Sequence, residues 1–475
     1  MNCATSPSGV NNGSGSSTDF ALARRSNNGN EPIHTTWCGI DVVLTDNYHP
    51  SESKKSGHND ELTPPKHEAA HSEKFTRRES WRRTNSSLGD DYGWLRKLDL
   101  RSDTPSINEI RDWSFDVLKF EETALIGVFI EMLEYYDFFE KFQLDKKTLE
   151  RYCQEVMDRH QKDCYYQKLD IQREGVVEER KADVLCEYHN WYHAVSCSHV
   201  SFLFLTLGGA DAFLSPLERF CIIMGALIHD LDHPGTNNDF EVKRSTPLAK
   251  RYGNDAVLER HAINMGLNMC QENPDLDWLN SFDQDDREYV KHFLSESVLA
   301  TDPARHADIV NEALSFVENG LKDYQTNSNP DVSESDYEPS SSMTHFNSDD
   351  PTHRLFLGKL ILHSADISNP LHVSFEVASD WAIRVITEFS RQAEKEKQLQ
   401  LPVTTFMDGL DSQVKIAKVQ IGFFRFMVKP LYHTIGILFS NLAVLEEWGE
   451  KNCVRYQMII DEQDKKQHDS NTGEP

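Results

Sequence analysis

The chain has 475 residues, of which 38% are hydrophobic and 10% aromatic, and its formal net charge at pH 7 is -28. This length and apolar content suffice for one large core or two ordinary ones, whereas the excess of carboxylates argues against a general nucleic-acid binder. The nine cysteines include no Cys-x-x-Cys pair, and no apolar signal region follows Met1. No apolar run is long enough for a transmembrane segment, so we expect a cytoplasmic protein with reduced thiols.

The first 88 residues consist mainly of Ser, Asn, Gly, Thr and charged residues, and their few apolar residues follow no sustained period. Such a composition does not bury enough apolar surface to offset the entropy of ordering, so we predict a disordered regulatory tail over residues 1–88. Within it, the sequence RRES places two arginines ahead of Ser80, as a basophilic kinase site requires. A solvated basic patch is the alternative, because such short matches are common by chance.

Apolar residues recur at helical spacing from about residue 89 to about residue 462. In chain order, the main helical patterns are LIGVFIEMLEYYDFFEKF, KKTLERYCQEVMDRHQ, ADVLCEYHNWYHAVSCSHVSFLFLTL, PLERFCIIMGALIHDL, NDAVLERHAINMGLNMC, DREYVKHFLSESVLA, HADIVNEALSFVENGLKDY, HRLFLGKLILHSADI, SFEVASDWAIRVITEFSRQAEKEKQ and VQIGFFRFMVKPLYHTIGILFSNLAVLEEWGEKN. Because alternating strand patterns are nearly absent, we predict an all-α fold, a compact multi-helix bundle over residues 89–462.

Two segments differ from this helical pattern. Residues 325–350 contain six carboxylates and no Lys or Arg, which predicts a mobile acidic insertion between two helices. Residues 463–475 are polar throughout and predict a C-terminal tail.

The stretch IHDLDHPGTN places His229, Asp230, Asp232 and His233 directly after an apolar run. We expect His229 and His233, four residues apart, to share a helical face. His189 and His193 in YHNWYHA have the same spacing on a predicted helix, and Asp366 in HSADISNP ends an apolar helix. Burying so many ionisable groups would cost several kcal/mol per ion without a metal or partners.

A site formed by His193, His229, Asp230 and Asp366 offers two imidazoles and two carboxylates, a set that suits Zn(II) and leaves positions for water. A carboxylate such as that of Asp230 can bridge a second ion with water ligands, as suits Mg(II) or Mn(II). Two such ions that flank a hydroxide form a phosphoryl-transfer centre. Each of these residues alone is more often structural, so the inference depends on their combination.

Six motifs share the order and approximate spacing of class I cyclic nucleotide phosphodiesterases of the HD superfamily, which the chain resembles over roughly residues 100–460. The motifs are YHNWYHA, HDLDHPGTNN, LERH, LATD, HSADISNP and QIGFF. The resemblance implies a hydrolase that converts a 3',5'-cyclic purine nucleotide to the 5'-monophosphate and so ends cyclic nucleotide signalling, with cAMP favoured over cGMP. It implies Zn(II) in the tighter site, Mg(II) or Mn(II) in the second, and a bridging hydroxide that attacks the phosphorus.

The resemblance also implies a role for each matched residue near the metals. The zinc ligands are matched by His193, His229, Asp230 and Asp366, and Asp230 also reaches the second ion. The general acid that protonates the departing O3' of the ribose is matched by His189. The residues that orient water on the second ion are matched by His233, Glu259 and Thr301, and the residue that orders the metal loop is matched by Asn237.

Recognition of the purine should depend on QIGFF. The Gln420 amide offers a donor and an acceptor to the edge of the base, and Phe423 lies three residues further on, where it can stack on the purine. The resemblance places Asn369 near the base, and family members with Asn-Pro at this position are often selective for cAMP. Tyr188 and Trp381 match residues that line the pocket.

Two alternatives to a cyclic nucleotide phosphodiesterase stay open. Another HD-superfamily phosphohydrolase, acting on a nucleotide triphosphate or a cyclic dinucleotide, would explain the metal ligands but not His189 with Gln420 and Phe423. A catalytically silent nucleotide-binding scaffold would not need the intact ligand set. The family commonly has a second His where this chain has Ala262, and we still expect an active enzyme. Expected partners are the nucleotide, a kinase acting on Ser80 and a second copy in a homodimer.

Overall fold

The computed structural model describes residues 33–37, 40–44, 99–161, 186–327 and 346–472. The chain divides into two compact units, Met1–Ala70 and His71–Pro475. The expected kinase site at Ser80 lies outside the described residues, as does most of the predicted disordered tail. Among the described residues, no helix combines the length and the apolar composition that crossing a membrane requires.

The first unit contains one β-hairpin. Strand β1 (Ile33–Trp37) pairs antiparallel with β2 (Ile40–Leu44), and Ile33 lies opposite Leu44. Both strands are rich in β-branched residues, which favour the extended backbone. The hairpin falls inside the segment predicted to be disordered and differs from that prediction at these positions, because a two-stranded pairing needs only two short β-prone runs.

The second unit is helical, which confirms the predicted all-α class. The helices are α1 Ile107–Ile110, α2 Ala124–Tyr135, α3 Phe138–Lys141, α4 Lys146–Gln161, α5 Trp191–Thr206, α6 Pro216–Ile228, α7 Asn238–Arg244, α8 Pro247–Tyr252, α9 Val257–Glu272, α10 Gln284–Leu299, α11 His306–Asn327, α12 Pro351–Asp366, α13 Phe375–Gln398, α14 Gln413–Phe423, α15 Lys429–Leu438 and α16 Ala443–Thr472. A π-helical segment, Phe424–Val428, joins α14 to α15.

Short 3-10 turns connect several of these helices. They are Val117–Lys119, Ala210–Phe213, Pro274–Leu276, Trp278–Ser281, Pro303–Arg305, Asn369–Leu371, Thr405–Met407 and Ser440–Leu442.

Helices α5, α6, α10 and α12 pack against one another and form the centre of the bundle. Helix α6 begins with a capping box, in which the Ser215 hydroxyl accepts from the backbone N–H of Glu218 and the Glu218 carboxylate accepts from that of Ser215. Helix α12 approaches α10 closely at Gly358, where a Cβ would lie 2.6 Å from Cζ of Phe293. This close contact fixes the position of α12, whose last residue is Asp366, as predicted.

Two predictions about the polar motifs are wrong. Helix α5 begins only at Trp191, because the side chain of Asn190 caps it and accepts from the N–H groups of Tyr192 and His193, so His189 lies ahead of the helix. Helix α6 ends at Ile228, and Asp232 adopts a left-handed φ of 62°, so His229 and His233 do not share a helical face.

The segments predicted as the insertion and as the C-terminal tail both begin inside a helix. Helix α11 extends to Asn327, and the side chain of Asp350 caps α12 by accepting from the N–H of Thr352, whereas residues 328–345 lie outside the described part. Helix α16 continues to Thr472 through the segment predicted as a polar tail, because Glu, Gln and Lys favour helix even in solvent.

Candidate active site

The four predicted metal ligands, His193, His229, Asp230 and Asp366, lie together although they come from three different helices or their ends. Each offers a ligand atom within 4.8 Å of the others. His193 Nε2 is 3.0 Å from Asp366 Oδ1, and His229 Nε2 is 2.9 Å from Asp230 Oδ2. The two Nε2 atoms are only 3.2 Å apart. Two ring nitrogens and two carboxylates therefore converge on one point.

The hydrogen bonds and charges of these groups fit a bound cation. His229 donates from Nδ1 to the carbonyl of Ala226 at 2.8 Å, which directs Nε2 at the cluster. Burial disfavours the charged form of Asp366, but hydrogen bonds with His193 and His229 outweigh it and hold the pKa of Asp366 below its usual value. The pKa of Asp230 is also lowered, because His229 and His189 outweigh the effect of burial. Despite burial, the carboxylates around His229 raise the pKa of this imidazole well above its usual value, so a cation bound here would displace a proton from the ring. Imidazole nitrogens and carboxylates are donors that Zn(II) prefers.

His189 lies beside this cluster and is held by Glu388, a residue of α13 that the sequence analysis missed. His189 Nδ1 is 2.6 Å from Glu388 Oε2, and Glu388 Oε1 accepts from the backbone N–H groups of Tyr188 and His189 at 2.7 and 3.0 Å. Burial alone would lower the pKa of His189, but Glu388 and Asp230 raise it to about 9. Burial likewise opposes ionisation of Glu388, yet His189 lowers the pKa of this carboxyl to about 2. At neutral pH the pair is an imidazolium and a carboxylate.

A signal for Glu388 was present in the pattern of α13. Glu388, Gln392 and Glu396 recur every four residues and are at most 4% exposed. Polar residues at the buried positions of an amphipathic helix need partners, and these three form a row of polar groups through the core. Gln392, for example, donates to Asn237 Oδ1 and accepts from the Asn237 N–H.

The residues matched to water orientation on the second ion differ in their immediate surroundings. The ring of His233 stacks on that of His189 at 3.9 Å, and burial together with the charge of His189 lowers the pKa of His233 to about 3. Burial and the neighbouring Asp302 raise the pKa of Glu259 to about 8, although Asn238 donates to its carboxylate. The Thr301 hydroxyl donates to the carbonyl of Val298.

The loop after α6 is held by three side chains. Asn237 caps α7 by accepting from the N–H of Phe240. Asp232 Oδ2 contacts His261 Nε2 at 2.8 Å, so the loop is tied to α9. Ala262, the departure from the family pattern, is buried next to His261 and leaves this contact intact.

Three of the five predicted substrate residues form one group next to the cluster. Asn369 donates to the hydroxyl of Tyr188 at 2.8 Å, and the Tyr188 ring lies 5.7 Å from Trp381 and 4.5 Å from His193. Gln420 and Phe423 lie at the C-terminal end of α14, which packs on α13. The Gln420 side chain is nearly buried, and no hydrogen bond with the described part of the chain fixes its amide.

Comparison with known proteins finds similar sequences and a similar fold. The family model described as 3'5'-cyclic nucleotide phosphodiesterase matches residues 188–447. The human "Dual specificity calcium/calmodulin-dependent 3',5'-cyclic nucleotide phosphodiesterase 1C" is 25% identical over 74% of this chain and 42% of its own length. The human "High affinity cGMP-specific 3',5'-cyclic phosphodiesterase 9A" is 25% identical over 72% of this chain and 51% of its own length. The chain thus spans about half the length of these curated relatives.

A solved structure gives the same result. The phosphodiesterase domain of the Salpingoeca rosetta rhodopsin phosphodiesterase superimposes with a TM-score of 0.63 at 25% identity and covers 76% of this chain and 94% of its own. The family match covers more than half of the chain and includes the four convergent ligands, His189 and Glu388. The chain belongs to the 3'5'-cyclic nucleotide phosphodiesterase family.

Proposed function

We propose that this chain hydrolyses the 3',5'-cyclic phosphodiester of a cyclic purine nucleotide to the 5'-monophosphate in the cytoplasm, and so ends cyclic nucleotide signalling. The observation that carries the proposal is the His189–Glu388 pair beside the four-ligand cluster. A charged imidazole next to a metal centre is the arrangement that phosphodiester cleavage needs, because the alkoxide leaving group requires a proton.

The ligand set supports two ions. His193, His229, Asp230 and Asp366 would hold Zn(II), and Asp230 would also reach Mg(II) or Mn(II) in the second site. When bound, the two ions supply an activated water as nucleophile and offset negative charge on the phosphoryl oxygens. The chain itself keeps His193 and His229 in place by packing both rings in the core, where each is 1% exposed.

His189 serves as the general acid in this proposal. Its Nδ1 is engaged by Glu388, so Nε2 carries the proton that can pass to the O3' atom of the ribose. The pKa of about 9 keeps His189 protonated at neutral pH before the transfer. The stacked ring of His233 stays neutral and does not compete for this role.

His233, Glu259 and Thr301 orient water around the second ion, and Asn237 holds the loop that carries His233. The raised pKa of Glu259 supports this role, since a carboxyl that titrates near neutrality can both accept a hydrogen bond from water and donate one to it. Asn237 is fixed on one side by Gln392 and on the other by the first turn of α7.

The purine binds between Gln420 and Phe423 on one side and Asn369, Tyr188 and Trp381 on the other. We favour cAMP because the Asn369–Pro370 sequence is typical of cAMP-selective members of the family. The two relatives named above differ in their selectivity at equal identity, so similarity alone does not choose the base. The Gln420 amide, which has no fixing partner among the described residues, would adapt to the edge of either purine.

In this proposal residues 89–462 form the catalytic domain, residues 1–88 regulate it, and residues 325–350 and 463–475 are an acidic insertion and a polar C-terminal segment. Phosphorylation of Ser80 by a basophilic kinase would add about -1.5 to -2 charge ahead of the catalytic domain. Equal turnover by the Ser80→Ala, Ser80→Asp and kinase-treated chains would refute regulation at this serine. Sedimentation velocity of the full chain tests the expected homodimer.

Product analysis in water enriched in oxygen-18 tests the reaction itself. Incubation of the full chain with cAMP should yield 5'-AMP with a single heavy oxygen on phosphorus, because water attacks the phosphorus and the bond to O3' breaks. Parallel incubations with a nucleoside triphosphate and with a cyclic dinucleotide test the rival phosphohydrolase activities. Turnover of either rival substrate without turnover of cAMP or cGMP would overturn the proposal.

A further inference from the structure

A second group of potential metal ligands includes two residues that contact His189, namely Glu388 and His233. Cys186, His233 and Glu388 each offer a ligand atom, and these three atoms lie within 4.8 Å of one another. They come from the segment before α5, from the loop after α6 and from α13. Within the described residues, this is the one group of the kind apart from the four ligands of the candidate active site.

The chemistry of this group differs from that of the active-site cluster, because it contains a thiol. Sulfur, imidazole and carboxylate together favour Zn(II) or Cd(II) and disfavour Mg(II), which prefers oxygen ligands. A tetrahedral zinc brings its ligand atoms to roughly 3.5 Å from one another, so shifts of about 1 Å would complete the site. Cys186 and His233 are half-buried and Glu388 is 4% exposed, so solvent reaches the group at Cys186 and His233.

Metal binding would replace two of the present hydrogen bonds. Cys186 Sγ donates to the carbonyl of His233 at 3.1 Å, a weak bond that ends when the thiol is deprotonated by metal binding. The N–H of Gly235 donates to Nδ1 of His233, so an ion on Nδ1 would take the place of this N–H. Glu388 is an anion held by His189 and by two backbone N–H groups.

We propose that Cys186, His233 and Glu388 form a third, inhibitory site for a thiophilic ion of the Zn(II) type. The ion would bind the Glu388 carboxylate, which also contacts His189. It would also bind a ring nitrogen of His233, whose ring stacks on that of His189. Because Glu388 Oε2 lies 2.6 Å from Nδ1 of His189, an ion on this carboxylate would compete with the contact that holds the imidazole beside the four-ligand cluster. The inhibitory part of this inference rests on the proposed function, in which His189 is the acid, whereas binding of the ion does not.

Titration with Cd(II) tests binding without reference to activity. The full chain is first loaded with Zn(II) and Mg(II), and Cd(II) is added while the ultraviolet charge-transfer band of cadmium thiolate is recorded.

Three proteins are compared: wild type, Cys186→Ser, and Cys453→Ser as the control. Serine at position 186 keeps a donor for the His233 carbonyl, and Cys453 is a buried thiol that belongs to neither ligand group. We expect the absorbance of one cadmium–thiolate bond per chain to be lost in Cys186→Ser and to be retained in Cys453→Ser. Equal bands in wild type and Cys186→Ser would overturn the site.

Inhibition is measured on the same proteins with a fixed excess of Mg(II) and increasing Zn(II). Wild type and Cys453→Ser should lose kcat with little change in KM, and Cys186→Ser should need about 10–100-fold more Zn(II), as loss of a ligand requires. Identical inhibition of wild type and Cys186→Ser would overturn the inhibitory role. Should the chain hydrolyse no cyclic nucleotide, the proposed function fails and the cadmium band still decides the site. If the chain hydrolyses a cyclic nucleotide but its cadmium–thiolate band is the same with and without Cys186, the third metal site is refuted and the proposed function stands.

Discussion

The Nδ1 atom of His189 lies 2.6 Å from Oε2 of Glu388, although 199 positions separate the two residues in the chain. The same carboxylate accepts from the backbone N–H groups of Tyr188 and His189, so its orientation is fixed from three directions. A buried carboxylate in this position keeps the imidazole charged and fixes which nitrogen faces the metal cluster.

Glu388→Gln should therefore impair proton donation while preserving the shape of the side chain. In the wild type, kcat should fall as the pH rises through about 9, because His189 is protonated below its raised pKa and loses its proton above it. The substitution removes the charge that raises this pKa, so the alkaline limb should move to lower pH and kcat at neutral pH should fall about 100-fold. Glu396→Gln, a buried carboxylate on the same helix, is the control and should leave the alkaline limb in place. An unchanged pH profile in Glu388→Gln would contradict the role of this pair.

Removal of the metals should lower the thermal stability of the chain. Ions that bind the native state at about 1,000 times their dissociation constant contribute about 4 kcal/mol. Without them, the nitrogens of His193 and His229 and the two carboxylates face one another with no cation between them. We expect a chelator to lower Tm by several degrees and Zn(II) to restore it, as followed by calorimetry. In Asp366→Ala the difference in Tm between the chelator-treated and zinc-loaded forms should nearly vanish. An unchanged Tm of the wild type after addition of the chelator would count against the metal site.

Gly358→Ala should destabilise the bundle, because a Cβ there would lie 2.6 Å from the ring of Phe293. Overpacking of this kind costs about 1–3 kcal/mol, and urea unfolding measures it. Gly225→Ala is the matched control, since its Cβ would meet its nearest neighbour at 3.5 Å, an ordinary contact. A helical alanine at position 225 should leave stability unchanged or raise it by up to about 1 kcal/mol. Equal unfolding free energies for the two variants would show that α12 does not depend on this close approach.

Gln420→Ala should weaken nucleotide recognition without affecting the metal centre. Loss of a hydrogen-bonding partner for a buried base edge costs about 1–3 kcal/mol, so kcat/KM should fall roughly 10–100-fold for both cAMP and cGMP. Metal content should stay at the wild-type level. Lys418→Ala, an exposed position on the same helix, provides the control and should keep wild-type kinetics. Wild-type kcat/KM in Gln420→Ala for both nucleotides would remove this residue from the binding site.

The sequence predicts the helical fold class and the candidate metal ligands better than it predicts the local backbone around the motifs. Long apolar periods predicted the helical class and placed Asp366 correctly at the end of α12, because burial of one helix face leaves a strong period in the sequence. The four metal-ligand candidates could be selected by their chemistry, since a group of ionisable residues after a buried run needs partners.

Local backbone chemistry at the motif ends was harder to predict. The capping side chain of Asn190 starts α5 after His189, and the left-handed residue Asp232 turns the chain before His233. Both effects involve single residues and leave the helical period of the flanking sequence intact. Glu388 was missed because its partner is distant in sequence, although its buried position in the row with Gln392 and Glu396 was visible in the pattern of α13.

Hydrolysis of cAMP and cGMP by the full chain, loaded with Zn(II) and with Mg(II) or Mn(II), tests whether the four-ligand cluster supports the proposed reaction. The assay compares wild type with Asp366→Asn, which keeps the shape of the side chain but removes one anionic ligand, and metal content is measured on both. We predict that the wild type converts cAMP to 5'-AMP faster than it converts cGMP to 5'-GMP, and that Asp366→Asn falls to background with less bound metal. No turnover of either nucleotide by a folded, metal-loaded wild type, or undiminished turnover by Asp366→Asn, would contradict the proposal.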